Sequence, residues 1–183
     1  MLAQNLGCCQ DHMSISRPLI IAIDVGIRNL ALACYDTATE QVTRWFVASL
    51  VAGRYQPARN VEYVKNFAAA HAALFERAAV VLIERQMRGN LRILEALLAL
   101  RFDGVVVSPR SVKARFGLCS GDYRQNKRNA VAWAETQLAQ RPQLVCAEAR
   151  AAFAAAAKRD DLADALLLLA YHLEVTKPTT PSS

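Results

Sequence analysis

"PLIIAIDVGIRNLALACYD", Pro18 to Asp36, is the stretch that decides the fold. A short apolar run closed by glycine is followed by a turn-like "GIRN" and then by a second apolar run. Apolar runs of this length bounded by turn residues read as buried strands. A second turn, "TATE", leads into "QVTRWFVAS", so residues 18–49 are expected to form an antiparallel three-strand meander. Asp24 stands where the first strand ends. A carboxylate at the end of a buried run is unusual, because burying an unpaired charge is expensive.

The pattern changes after the meander. "QPARNVEYVKNFAAAHAALFERA", residues 56–78, has helical spacing and an early proline, and reads as one helix. "AVVLIE" is a strand that ends on Glu84. "GNLRILEALLALRF", residues 89–102, is a helix with two apolar stripes, Leu91/Leu94/Leu98 and Ile93/Leu97/Leu100. One stripe suffices to dock a helix on a sheet; the second needs a cover, either another subunit or the helix "SPRSVKARFG". "GVVVS" is a further strand, and in "SPRSVKARFG" Ser108 is the expected N-cap, Pro109 the first helical residue and Gly117 the stop. "DYRQNKRNAVAWAETQLAQ" is a longer helix ended by Pro142. This order predicts an α/β chain with a mixed sheet and helices packed on it.

At 183 residues the chain suits one domain, expected over 18–176, with residues 1–17 and 177–183 as tails. No apolar run reaches the ~18 residues that a membrane span needs. Five cysteines, an odd number without metal-binding spacing, argue against a disulfide framework or zinc site and for a reducing compartment. The first 17 residues carry no apolar core of a secretion signal and are not Arg-rich, which predicts an intracellular, cytoplasmic protein, viral or bacterial rather than mitochondrial. The net charge of +6 is concentrated: residues 85–128 alone carry ten Lys/Arg against three acids. A local block of +7 points to a polyanionic partner or to a solvated basic face.

The last helix contains "KRDDLADALLLLA", Lys158 to Ala170, with Asp160, Asp161 and Asp164 crowded ahead of an apolar run. Like charges at helical spacing cost a few tenths of a kcal/mol per pair. The stripe Leu162, Ala165, Leu166, Leu169 and Leu173 is expected to bury one side and leave an acidic edge facing a cleft. Singly, each acid has an ordinary role: Asp24 in a turn, Glu84 in an ion pair, Asp160 or Asp161 at a helix cap. Together they mark three places that one sheet-and-helix core could unite, and clustered carboxylates gain stability by sharing hard divalent cations.

"IAIDVGIRNLALA", "VLIERQMR" and "KRDDLADALLLLA", in this order, resemble the RuvC-type Holliday junction resolvases of the ribonuclease H-like superfamily. The resemblance covers residues 20–172 and is strongest to the poxvirus resolvases and the fungal mitochondrial cruciform-cutting endonucleases. It implies a ribonuclease H-like fold: a mixed five-stranded sheet, three antiparallel strands then parallel strands, flanked by helices. It assigns Asp24, Glu84, Asp161 and Asp164 as metal-binding acids, Lys113 to the scissile phosphate, and Gly26 and Asn29 to the first motif. Asp160 falls off the four-acid pattern and is expected to cap the helix; Gly26 would let a phosphate approach Asp24.

The implied activity is structure-selective cutting of four-way DNA junctions by paired symmetric nicks. Two Mg²⁺ ions per site, or Mn²⁺ in their place, would leave a 5′-phosphate and a 3′-hydroxyl. Branched DNA is the expected partner, with contacts from Arg85, Arg88, Arg110, Lys113, Arg115, Arg124, Lys127 and Arg128, and with Gln86 as a further strand contact; no small-molecule substrate or membrane is expected. A homodimer built on helix 89–102 would match the two-fold junction. The alternatives are a ribonuclease H or transposase-like nuclease of the same fold, and a non-catalytic DNA-binding module.

Overall fold

Strand β1 (Leu19–Asp24) is apolar on both faces and lies at the centre of a five-stranded sheet of order β3-β2-β1-β4-β5. This computed structural model describes residues 18–177; the N-terminal tail expected over 1–17, and the C-terminal one from residue 178 on, lie outside the described residues. On one side β1 pairs antiparallel with β2 (Leu30–Asp36), which pairs antiparallel with β3 (Gln41–Ala48), giving the expected meander. On the other side it pairs parallel with β4 (Ala78–Glu84), and β4 pairs parallel with β5 (Val105–Val107). Alternation along β1 sends Ile20 and Ala22 into one core and Leu19, Ile21 and Ile23 into the other. In the turn after β1, a Cβ on Gly26 would meet the Asn29 carbonyl oxygen at 2.4 Å. Glycine is therefore required there by the loop's own backbone, before any phosphate is considered.

One face of the sheet carries α1 (Asn60–Ala70), α2 (Ala72–Phe75) and α3 (Gly89–Phe102). The single helix expected over 56–78 instead starts as a 3₁₀ turn at Pro57–Arg59 and breaks at His71, whose φ is −117°. The break lets Phe75 stack on Phe102, with ring centroids 3.7 Å apart, while Phe67 meets Phe75 edge-on. Aromatic packing on α3 thus outweighs helix continuity. On α3, Leu94 and Leu98 are fully buried, whereas Ile93 is 50% and Leu100 84% exposed.

The opposite face carries α4 (Pro109–Arg115), α5 (Tyr123–Gln140), α6 (Ala147–Ala155) and α7 (Arg159–Val175). Because α4 packs on α7, it lies across the sheet from α3 and cannot cover the second stripe. Pro109 opens α4 and Gly117 follows its end with φ of +67°, as expected, although the Ser108 side chain makes no capping bond. The Asp122 carboxylate caps α5, accepting from Arg124 N–H at 2.8 Å.

Helix α7 departs from the expected amphipathic pattern. Every residue from Leu162 to Leu169 is buried, Asp164 included, because the helix is clamped between the sheet and α5. Asp160 does not cap it either; the helix follows Lys158, and Asp160 sits inside the first turn. A small stack fixes this end of the fold: Trp45 lies parallel to Phe153 with centroids 4.3 Å apart, and the Arg159 guanidinium lies 4.9 Å from the Phe153 ring centre. Trp45 Nε1–H also donates to the Leu162 carbonyl at 2.8 Å, tying β3 to α7. Among the described residues no helix is long and apolar enough to cross a membrane.

Phe153→Ala removes the centre of that stack. It is expected to cost about 3–5 kcal/mol of stability, the usual range for emptying a buried aromatic site. Urea denaturation measures the loss; a cost under about 1 kcal/mol would show that α6 is held by other contacts.

Candidate active site

Parallel pairing places the first two acids. Ile23 stands opposite Ile83, so Asp24 and Glu84, one residue on, end neighbouring strands at the same edge of the sheet. Helix α7 packs across β1, β2 and β4 and brings Asp161 and Asp164 to this edge. All four acids line one cleft of about 800 Å³. The sheet and the two cores thus unite residues that are up to 140 positions apart in the chain.

Two lysines supply countercharge. Lys113, from α4, reaches Asp164 Oδ1 at 3.1 Å. Lys127, from α5, contacts Asp160 closely and Asp161 Oδ1 at 3.2 Å. Asp160, expected as a cap, is therefore the ion-pair partner of Lys127. Lys127, expected among the outer phosphate contacts, stands inside the carboxylate cluster. Gln86 turns inward as well: its Nε2–H donates to the Glu84 carbonyl at 3.2 Å and to Glu84 Oε2 at 3.3 Å. Glu95 on α3 holds this loop, its Oε2 accepting from the Gln86 backbone N–H at 2.5 Å.

The electrostatics follow from burial and crowding. Burial pushes Asp24 well above the ordinary carboxylate range, and the negative charges of Glu84, Asp164 and Asp161 push it further. Glu84 is raised by burial and by Asp164. Asp161 and Asp164 are raised by burial, against the opposing pull of Lys127 and Lys113. Asp160 goes the other way: burial works to raise it, but the hydrogen bond and charge of Lys127 prevail. Both lysines are raised, because their carboxylate partners outweigh desolvation.

The donor set fits a hard divalent cation. All four acids offer carboxylate oxygens, and the buried Asp164 Oδ1 has only the Lys113 ammonium, 3.1 Å away, to balance its charge among the described residues. Among the described residues no three His, Cys, Asp or Glu side chains already stand at ligating distance from one point. The arrangement is that of carboxylates neutralised by their own lysines, which a cation of higher charge would displace.

Five of the eight expected DNA contacts line this cleft: Arg85, Arg88, Arg110, Lys113 and Lys127. Arg115 pairs instead with Glu174 at 2.8 Å, Arg128 stands 3.9 Å from Asp122, and Arg124 lies off the lining. Sequence reasoning did not single out Arg28, Lys158 or Tyr123, which also line it. Arg28 is fixed by donating to the Gly53 carbonyl at 2.7 Å. Arg28 and Lys158 lie within the first and last motifs, close in sequence to the acids, whereas only the tertiary fold brings Tyr123 to the cleft.

Solved structures place the fold. The yeast mitochondrial Holliday junction resolvase Ydc2 superposes with a TM-score of 0.63 at 19% identity, over 84% of this chain and 76% of that one. Thermus thermophilus RuvC in complex with Holliday junction substrate gives 0.51 at 18% identity, over 87% and 96% of the two chains. Another structure of T. thermophilus RuvC gives 0.52 at 14% identity, over 86% and 96%. The architecture is the RuvC-type ribonuclease H-like fold expected from the sequence. No curated protein matches the chain. The sequence profile of the Poxvirus A22 protein family matches residues 18–175, and the chain belongs to that family.

The raised carboxylates have a consequence for stability. A group whose carboxyl holds its proton more tightly folded than unfolded stabilises the fold at low pH, and that contribution is lost as pH rises through its folded value. The cation-free protein is therefore expected to lose thermal stability as pH rises above the ordinary aspartate value of 3.8. Asp24→Asn should flatten that slope and, at neutral pH, raise the melting temperature by roughly 2–4 °C for each kcal/mol of repulsion relieved. Melting curves in chelator across pH test this; an unchanged slope in the variant would show that Asp24 is not a source of the strain.

Proposed function

We propose that this chain is a Mg²⁺-dependent DNA endonuclease that resolves four-way junctions by paired symmetric nicks. The observation that carries the reading is the convergence of Asp24, Glu84, Asp161 and Asp164 from two strands and a helix into one cleft rimmed by arginines. Membership of the Poxvirus A22 family and the likeness to resolvase structures support it. The catalytic domain is residues 18–176, and branched DNA is the partner.

In this reading the four acids hold Mg²⁺, with Mn²⁺ as a substitute. Bound there, the cation lowers the pKa of an attacking water and offsets charge on the phosphate. The chain's own residues do the rest. Lys113, already in the cleft, turns its ammonium from Asp164 toward the phosphate, where negative charge grows in the transition state. Gln86 orients Glu84, and Lys127 keeps Asp161 and Asp160 from repelling each other until the substrate arrives. Arg85, Arg88 and Arg110 hold flanking phosphates, which makes affinity fall steeply with salt. Hydrolysis leaves a 5′-phosphate and a 3′-hydroxyl.

The test is incubation with a synthetic four-way junction, an RNA–DNA hybrid and linear duplex in Mg²⁺. Preferential nicking of the hybrid would replace this reading with a ribonuclease H, and binding without any nicking would leave a DNA-binding module. Asp24→Asn, Glu84→Gln, Asp161→Asn and Asp164→Asn are each expected to lower the single-turnover rate roughly a thousandfold or more, about 4 kcal/mol of barrier. Junction binding should persist in all four. Near-normal turnover in any one of them would remove that residue from the site.

We also propose that the working form is a homodimer joined through α3. The support is the exposure of Leu100 and half of Ile93 on one side of α3, although Leu97 of the same stripe packs partly against the core. A two-fold dimer would supply one site for each of two symmetric cuts. Ile93→Glu with Leu100→Glu should give monomers in light scattering at micromolar concentration and uncouple the two nicks. A wild-type chain that stays monomeric, alone and on junction DNA, would sink the proposal.

A further inference from the structure

Tyr123 is the first residue of α5 and leaves 68% of its surface in water. Among the described residues, the other large apolar side chains left so exposed, such as Met87 and Leu100, are aliphatic. Tyr123 lines the same cleft as the four acids. The Lys127 ammonium lies 5.5 Å from its ring centre, and that ammonium also stands 3.2 Å from Asp161. The ring is thus one side chain away from a candidate cation ligand.

The backbone beneath the ring is fixed. Asn126 Oδ1 accepts from Ser120 N–H at 2.7 Å and from Ser120 Oγ–H at 2.9 Å, and Asn126 Nδ2–H donates back to the Ser120 carbonyl at 3.2 Å. With the Asp122 cap, these bonds hold the loop 120–122 against the first turns of α5. A rigidly presented aromatic ring loses little entropy when it is covered by a ligand.

A flat ring facing water in a cationic cleft matches a nucleotide: phosphates go to the arginines and a base face goes to the ring. In continuous duplex both faces of each base are already covered by its neighbours. Only an unstacked base, as at a branch point, has a face free for Tyr123. We propose that Tyr123 is the stacking platform for an unpaired base beside the phosphate to be cut, and so a determinant of branch selectivity. The inference rests on the junction-cutting reading above and names the substrate feature that the site would take.

The full chain is mixed with junctions carrying 2-aminopurine at successive positions around the branch, with Ca²⁺ replacing Mg²⁺ so that binding is read without turnover. Wild type and Tyr123→Phe are expected to quench one position strongly. Tyr123→Ala and Tyr123→Leu should lose the quench and weaken the preference for junction over duplex by roughly tenfold, the scale of one base–aromatic stack. The salt dependence should not change, since no phosphate contact is removed. Should the alanine variant fail to fold, the phenylalanine and leucine pair decides, because leucine keeps bulk without a π-face. A full quench in Tyr123→Leu, or a loss in Tyr123→Phe equal to that in leucine, would overturn the proposal. Wild type that quenches but nicks nothing would defeat the nuclease reading alone; efficient junction nicking with quench and preference intact in Tyr123→Leu would defeat the stacking role alone.

Discussion

Because β1 and β4 run parallel with Ile23 opposite Ile83, the two strands deliver Asp24 and Glu84 to the same edge of the sheet. Everything else in the cleft answers to that placement. Two carboxylates at adjacent strand ends repel, and burial makes their charged forms costlier still. Helix α7 adds two more, Asp161 half-buried in its first turn and Asp164 buried. The fold tolerates this because two apolar cores, one on each face of the sheet, hold β1 and α7 in place. Lysines from α4 and α5 then bring the opposing charge. Hydrophobic burial sets the geometry, and local electrostatics adapts to it.

Much of this was legible from the residues. A short apolar run closed by Gly26, a second set between the turns GIRN and TATE, and a third ending on Glu84 marked β1, β2 and β4, and Pro109 with Gly117 bracketed α4. The order of elements and the three acidic motifs implied the fold that the structure shows. What was not legible depended on contacts distant in sequence. The break at His71 serves Phe75 and Phe102, 27 residues apart. Helical periodicity predicts an acidic edge of α7 facing a cleft, and Asp161 and Asp164 do line one, but it does not show that the sheet and α5 bury every residue from Leu162 to Leu169. Lys127 looked like any other base of a charged block, since its partners lie more than 30 positions away. Gln86, an expected strand contact, lines the cleft, and its bond to Glu84 is a tertiary detail that no sequence pattern shows.

Helix α3 joins two regions that the sheet otherwise keeps apart. One side of it carries Leu94 and Leu98 into the core, and another leaves Ile93 and Leu100 in solvent. From the same helix Glu95 grips the Gln86 backbone, and Gln86 grips Glu84. A shift of α3 would therefore reach a candidate cation ligand through two hydrogen-bonded residues. Any surface that settles on the exposed stripe rests directly on the frame that orients the site.

The lysines within the carboxylate cluster bear on how such a protein matures. In a site of bare acids, metal must arrive before the chain can close around it, and folding waits on supply. Here Lys113 and Lys127 already balance much of the charge, so the carboxylates can assemble and the chain can reach its native shape with no cation in the cleft.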